Sequence, residues 1–71
     1  MQEIWSAEIG RWSYYILYSA HTTKWQLCRR HADPRDDDLV AQGVSRYRSP
    51  NLDQIIDEVI DELEAIQEGM R

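Results

Sequence analysis

The feature that most constrains this chain is the spacing of apolar residues towards its end: Leu52, Ile55, Ile56, Val59, Ile60, Leu63, Ile66 and Met70. Intervals of three and four place them along one side of an α-helix. Every charged residue between Leu52 and Met70 is acidic, namely Asp53, Asp57, Glu58, Asp61, Glu62, Glu64 and Glu68. The sequence therefore predicts a helix with one apolar face and an otherwise anionic surface. Its apolar face needs a sheet or a second helix to cover.

The preceding residues supply strands. Trp5, Ala7 and Ile9 alternate with Ile4, Ser6 and Glu8 across residues 2–10, the period of a strand, and Gly10-Arg11 suits a turn. Residues 12–20 are rich in aromatic and β-branched types, with Trp12, Tyr14, Ile16 and Tyr18 on one face and Tyr15 and Leu17 on the other. His21-Thr22-Thr23 turns the chain into a third strand from Lys24 to His31, where Trp25 and Leu27 oppose Gln26 and Cys28. Ala32 to Asp38 is polar, with Asp33-Pro34 as a turn former. Leu39 to Arg48 is read as a fourth strand with a bulge at Gly43. The rival reading is a short helix from Pro34 to Gln42, capped by Asp33 and ended by Gly43. Ser49 as cap and Pro50 at the first helical position open the final helix over residues 50–70, with Gly69 near its end.

The expected fold is α+β: a single domain over residues 1–71, with an antiparallel meander of three or four strands within residues 2–48 and the acidic helix packed on one face. Ile55, Ile56, Val59, Leu63 and Ile66 are its expected contribution to the core. A chain this short buries only about 60% of its unfolded surface, so dimerisation or a partner would help it.

Composition narrows the class. A 42% hydrophobic content with three Trp and four Tyr belongs to a globular chain. A single cysteine, Cys28, excludes an internal disulfide and fits a reducing compartment. Met1-Gln-Glu-Ile-Trp5 lacks the basic and apolar regions of a signal peptide, and no apolar run approaches the ~20 residues that span a bilayer. A cytoplasmic location with no membrane contact is the expectation.

Motifs for chemistry are weak. Cys28-Arg-Arg-His31 has a C-x-x-H spacing without the second pair that a zinc site requires. Asp33-Pro-Arg-Asp36-Asp37-Asp38 departs from the calcium-loop pattern and reads as a solvated loop. His21 and His31 flank the third strand without a nucleophile motif, and there is no phosphate-binding glycine loop. No cofactor, metal or catalytic residue is expected, and the chain is not read as an enzyme.

Charge gives the clue to a partner. Residues 1–50 hold seven basic and six acidic residues, a net of +1, whereas residues 51–71 hold seven acids and Arg71, a net of −6. Acid pairs one turn apart recur at 53–57, 57–61, 58–62 and 64–68. Each like-charge pair costs about 0.2–0.5 kcal/mol, and the macrodipole disfavours acids at a helix C-terminus. The compensation is either internal, from Arg29, Arg30, Arg46 or Arg48, or external, from a basic surface on a larger protein. From Asp53 to Glu68 the helix rises about 22 Å. That spreads its acids at one per roughly 3.7 Å, near the ~3.4 Å axial phosphate spacing of a DNA strand. On this reading Asp57, Glu58, Asp61, Glu62 and Glu64 dock a nucleic-acid-binding surface and inhibit it. In size and charge, though not in any motif, the chain resembles the small acidic inhibitors that phages make against host defences, including anti-CRISPR proteins.

One helix covers one face of a sheet, so large side chains remain on the other. Trp12, Tyr14, Tyr18 and Trp25 are the candidates for an apolar contact with the partner or with a second copy as a homodimer. An alternative uses the sheet aromatics with Lys24, Arg29, Arg30, Arg46 and Arg48 as a nucleic-acid-binding platform. The Gly-aromatic motif of common RNA-binding sheets is missing, and the acidic helix repels polyanions.

Overall fold

Apolar alternation builds four strands: β1 (Gln2–Ile9), β2 (Trp12–Ser19), β3 (Lys24–Arg30) and β4 (Asp38–Val44). They form one antiparallel meander in the order β1-β2-β3-β4, and the chain ends in a helix, α1 (Leu52–Gly69). This computed structural model describes residues 1–69, with side chains as far as Gln67. Met70, which the sequence places on the apolar stripe, and the side chain of Glu68, which it places among the helix acids, lie outside the described residues, as does Arg71.

The hairpin turns follow from local chemistry. Ile9 pairs with Trp12, so Gly10-Arg11 is a two-residue connection, and Gly10 takes φ 64°. A positive φ at the first central position matches the twist of the two strands. Ala20 to Thr23 joins β2 to β3, and Thr23 is held at φ 54° with its carbonyl accepting the Ser45 N–H at 2.9 Å.

Both edge strands carry a bulge. Glu3 pairs with Leu17 and Trp5 with Ile16, which leaves Ile4 as an extra residue. Leu27 pairs with Ala41 and Cys28 with Leu39, which leaves Val40 as another. Each extra residue packs its side chain against the core. The bulge expected at Gly43 is therefore at Val40. Gly43 instead makes room for an aromatic ring. A Cβ there would stand 2.9 Å from Cζ2 of Trp25, so only glycine lets the indole lie across β4.

The core lies between the sheet and α1. Ile16, Leu27, Ile55 and Val59 are fully buried, with Tyr14, Tyr18, Trp25 and Leu63 closing around them. Ile55, Val59 and Leu63 recur every four residues, so one row of the helix meets the sheet, while Ile56, Ile60 and Ile66 lie half-buried along it. Each fully buried aliphatic side chain contributes about 1.5–3 kcal/mol.

Three boundaries differ from the sequence expectation. The helix begins at Leu52, not Pro50. Asn51 is its cap: its Oδ1 accepts the Gln54 N–H at 2.8 Å, and Gln54 Oε1 accepts the Asn51 N–H at 3.0 Å. This reciprocal pair satisfies two donors at once, which Ser49 followed by Pro50 does not match. Between β3 and β4 the helix alternative survives as a single 3-10 turn, Pro34–Asp36, capped by Asp33, whose side chain accepts the Arg35 N–H. Finally, β4 stops at Val44, not Arg48, because the Arg46 N–H turns to the Glu58 carboxylate.

Candidate interaction surface

On α1, Val59 points at the sheet, and at 3.6 residues per turn Asp57, Asp61 and Glu64 fall roughly opposite it. All three are exposed, as is Asp53 one turn earlier, so four carboxylates form a row on the outer side of the helix. Glu62 is also exposed but lies nearer the sheet, on the same flank as Glu58. Across the described row, from Asp53 to Glu64, the rise is about 16.5 Å, so the mean step is about 5.5 Å. The spacing of roughly 3.7 Å obtained by counting every acid does not describe a single row. It is corrected by the separate placements of Glu58 and Glu62.

Glu58 is itself a correction. It is buried, and it holds the chain after β4: Oε1 accepts the Arg46 backbone N–H at 2.8 Å and lies 3.5 Å from the Arg46 guanidinium. Its Oε2 is sealed from solvent without a hydrogen-bond partner. A partner protein cannot reach this carboxylate. The same Arg46 stands 3.9 Å from Asp61, a long and exposed contact that contributes little. Arg46 is therefore the internal cation anticipated beside the helix. Arg29 and Arg30 are engaged elsewhere, with Asp38 at 2.6 Å and Glu3 at 2.7 Å.

The aromatic candidates separate as well. Tyr14, Tyr18 and Trp25 are 7%, 8% and 4% exposed beneath α1, so they belong to the core and offer no docking surface. The helix took the face that they share. Trp12 alone of the four stays exposed, with the Arg29 guanidinium 4.1 Å from its ring centroid and the His31 ring edge-on at 5.9 Å. The open face of the sheet instead presents Tyr15, Leu17, Leu39 and Val44 among polar residues. The Arg30 guanidinium lies over Tyr15 at 4.5 Å.

A knot of side chains at the Asp36-Asp37-Asp38 run was not anticipated. Asp37 accepts the Tyr15 hydroxyl at 2.7 Å and the His31 backbone N–H at 2.8 Å. Asp38 faces both His31 Nε2 at 2.8 Å and Arg29. The backbone N–H of His31, and then the Tyr15 hydroxyl, hold the Asp37 carboxyl below its usual range. The hydrogen bond from His31, and then that from Arg29, do the same for Asp38. Reciprocally, the Asp37 hydrogen bond pushes the Tyr15 phenol well up. Burial pushes the neighbouring Cys28 thiol up. Asp37 and Asp38 therefore anchor the loop to the sheet and are not merely solvated. The detectable signal was the register: once β3 and β4 pair, Asp38 falls opposite Arg29.

No His, Cys, Asp or Glu cluster of three or more is arranged to hold a metal among the described residues, and no helix of the structure is long and apolar enough to cross a membrane. Comparison with known protein families, curated proteins and solved structures returns no match.

Proposed function

We propose that this chain is a small interaction module that docks the outer row of α1 on a basic surface of a larger protein. The observation that carries the reading is the row itself: Asp53, Asp57, Asp61 and Glu64 are exposed on one side of a helix whose other side is fixed to the sheet. The only basic side chain paired with this row among the described residues is Arg46, at 3.9 Å from Asp61. Carboxylates on a helix that is already ordered spare the backbone part of the ordering cost on binding, steer association with a cationic partner and discriminate against anionic ones. Where the basic surface is one that binds nucleic acid, docking blocks it, and the module acts as an inhibitor of the kind that phages deploy. Asp57, Asp61 and Glu64 form the centre of the contact, with Asp53 and Glu62 at its margin.

The nucleic-acid platform is less well supported. Arg29, Arg30, Arg35 and Arg46 are already in ion pairs with this chain's own carboxylates. That weakens the phosphate contacts on which such binding depends.

Affinity capture from the native host with wild type and the triple variant Asp57→Lys, Asp61→Lys, Glu64→Lys tests the reading. The wild type should retain a partner that elutes as salt rises, and the variant, with unchanged circular dichroism, should retain none. Equal capture by a folded variant would reject the docking row.

A further inference from the structure

We propose that a basic amphipathic helix of the partner packs beside α1, on the inner face of β1. Such a helix is the basic surface that α1 docks in the function proposed above, and its assignment depends on that reading.

The sheet is wider than its one helix. α1 makes its closest backbone approach to β3, and β1 stands two strands away in the order β1-β2-β3-β4. At about 4.8 Å per strand that is about 10 Å, the separation of two helices packed side by side. Trp5, Ala7 and Ile9 pair with Ile16, Tyr14 and Trp12. Paired residues share a face, so these three lie on the face that α1 covers at Ile16 and Tyr14. The bulged Ile4 packs towards the same core. All four are only half-buried.

α1 turns a matching flank towards them. Glu58 faces the β4 side, where it meets Arg46. Ile56 and Ile60 lie on the opposite flank, towards β1, and both are half-buried. Strand and helix therefore form one apolar corner, with β1 as its floor and this flank as its wall.

Charge selects the occupant. Asp53, Asp57 and Glu64 follow on the same side of the helical wheel, farther from the sheet, and all three are exposed. A helix seated in the corner meets apolar groups beneath it and carboxylates beside it. It therefore needs one apolar stripe flanked by Lys or Arg. The α1 of a second copy is acidic and would be repelled there. Pairing of an added strand is opposed by the bulge at Ile4, which blunts the β1 edge.

The test is amide chemical-shift titration of the full chain with a leucine–lysine peptide in amphipathic helical order, of about the length of α1, and with the same composition scrambled. The amphipathic peptide should give saturable shifts at Trp5, Ala7, Ile9, Ile56 and Ile60. The scrambled one should need about tenfold higher concentration, because it has no apolar stripe to bury. Ile60→Gln and Ala7→Lys, each with a urea midpoint near that of wild type, should weaken the amphipathic peptide about fivefold or more. The proposal alone is overturned, and the docking row stands, if the scrambled peptide binds equally well with shifts confined to Asp53, Asp57, Asp61 and Glu64. It is also overturned if both folded variants bind as tightly as wild type, or if the shifts at β1 appear on concentrating the chain without peptide, which would give the corner to a second copy. It falls together with the docking row if the folded triple variant Asp57→Lys, Asp61→Lys, Glu64→Lys binds the amphipathic peptide as tightly as wild type.

Discussion

Glu58 Oε1 accepts the Arg46 backbone N–H at 2.8 Å, and this bond between helix and loop sets where β4 ends. Ser45 still extends the edge of β3 by donating to Thr23, and one residue later the chain has turned to the helix. Glu58 thus serves the fold, whereas Asp57, its neighbour in sequence, faces solvent. Removing the acceptor should therefore cost more than removing the charge. Glu58→Ala is expected to lose about 1–3 kcal/mol by leaving the Arg46 N–H without its partner. Glu58→Gln keeps a carbonyl oxygen and should lose less. Urea midpoints compare the two, and identical losses would show that the bond does not hold the loop.

Gly43 and Gly10 are glycines for different reasons, and alanine separates them. At Gly43 an added Cβ meets the Trp25 ring at 2.9 Å and 3.2 Å, so Gly43→Ala must displace a buried indole. The expected loss is about 1–3 kcal/mol, with a change in tryptophan emission. At Gly10 nothing lies within 4 Å of the new Cβ, and the cost is the positive φ alone. Gly10→Ala should lose about 1–2 kcal/mol and leave the emission unchanged. An unaltered emission in Gly43→Ala would contradict the close packing of Trp25.

Thr23 is a β-branched residue at φ 54°, where its side chain crowds its own backbone. The conformation persists because Ser45 is bonded to the Thr23 carbonyl. Asparagine tolerates this region without the flexibility of glycine. Thr23→Asn should therefore stabilise the domain by about 1 kcal/mol, which in a chain of this size raises Tm by about 4–8 °C. A lowered Tm would show that the threonine side chain contributes more than the strain removes.

Most of the architecture was legible because it rests on two periodicities. The strand patterns before residue 49 and the three-four spacing after Leu52 separated four strands from one helix, and the alternation from Lys24 to His31 assigned Trp25 and Leu27 to one face. What the sequence did not disclose was which of two apolar faces the helix would take. Tyr14, Tyr18 and Trp25 look equally suited to a surface and to a core until Ile55 and Val59 are placed on them. The acidic row was legible as charge but not as geometry. Glu58 lies on a flank of the helix nearer the sheet than Asp57, but its burial also needs the contact with Arg46, twelve residues away in sequence. Asp37 and Asp38 were obscured in the same way, since their partners Tyr15, Arg29 and His31 lie on other strands or beyond them. Ile4 and Val40 left no sequence signal, because a bulge depends on the pairing of two strands.

The Asp37–Tyr15–His31 knot makes stability fall at both ends of the pH range. Asp37 and Asp38 have folded pKa values below those of the unfolded chain, through hydrogen bonds from His31, Tyr15 and Arg29. Their contribution is complete above the unfolded carboxylate pKa of about 3.9 and is lost as pH falls through the lower folded values. Tyr15 has the opposite sign: its folded pKa is raised, chiefly by the hydrogen bond to Asp37. Its contribution is complete below the unfolded phenol pKa of about 10 and is lost as pH rises through the folded value. Urea unfolding across this range should give a plateau between the two limbs. Asp37→Asn should flatten the acid limb, and it should also bring the Tyr15 phenol back towards its ordinary value, visible as earlier tyrosinate absorbance in an alkaline titration. Tyr15→Phe should remove the alkaline limb while retaining most of the acid one, because the His31 N–H still holds Asp37. An Asp37→Asn protein with an unchanged acid limb and unchanged tyrosinate onset would refute the coupling of Asp37 to Tyr15.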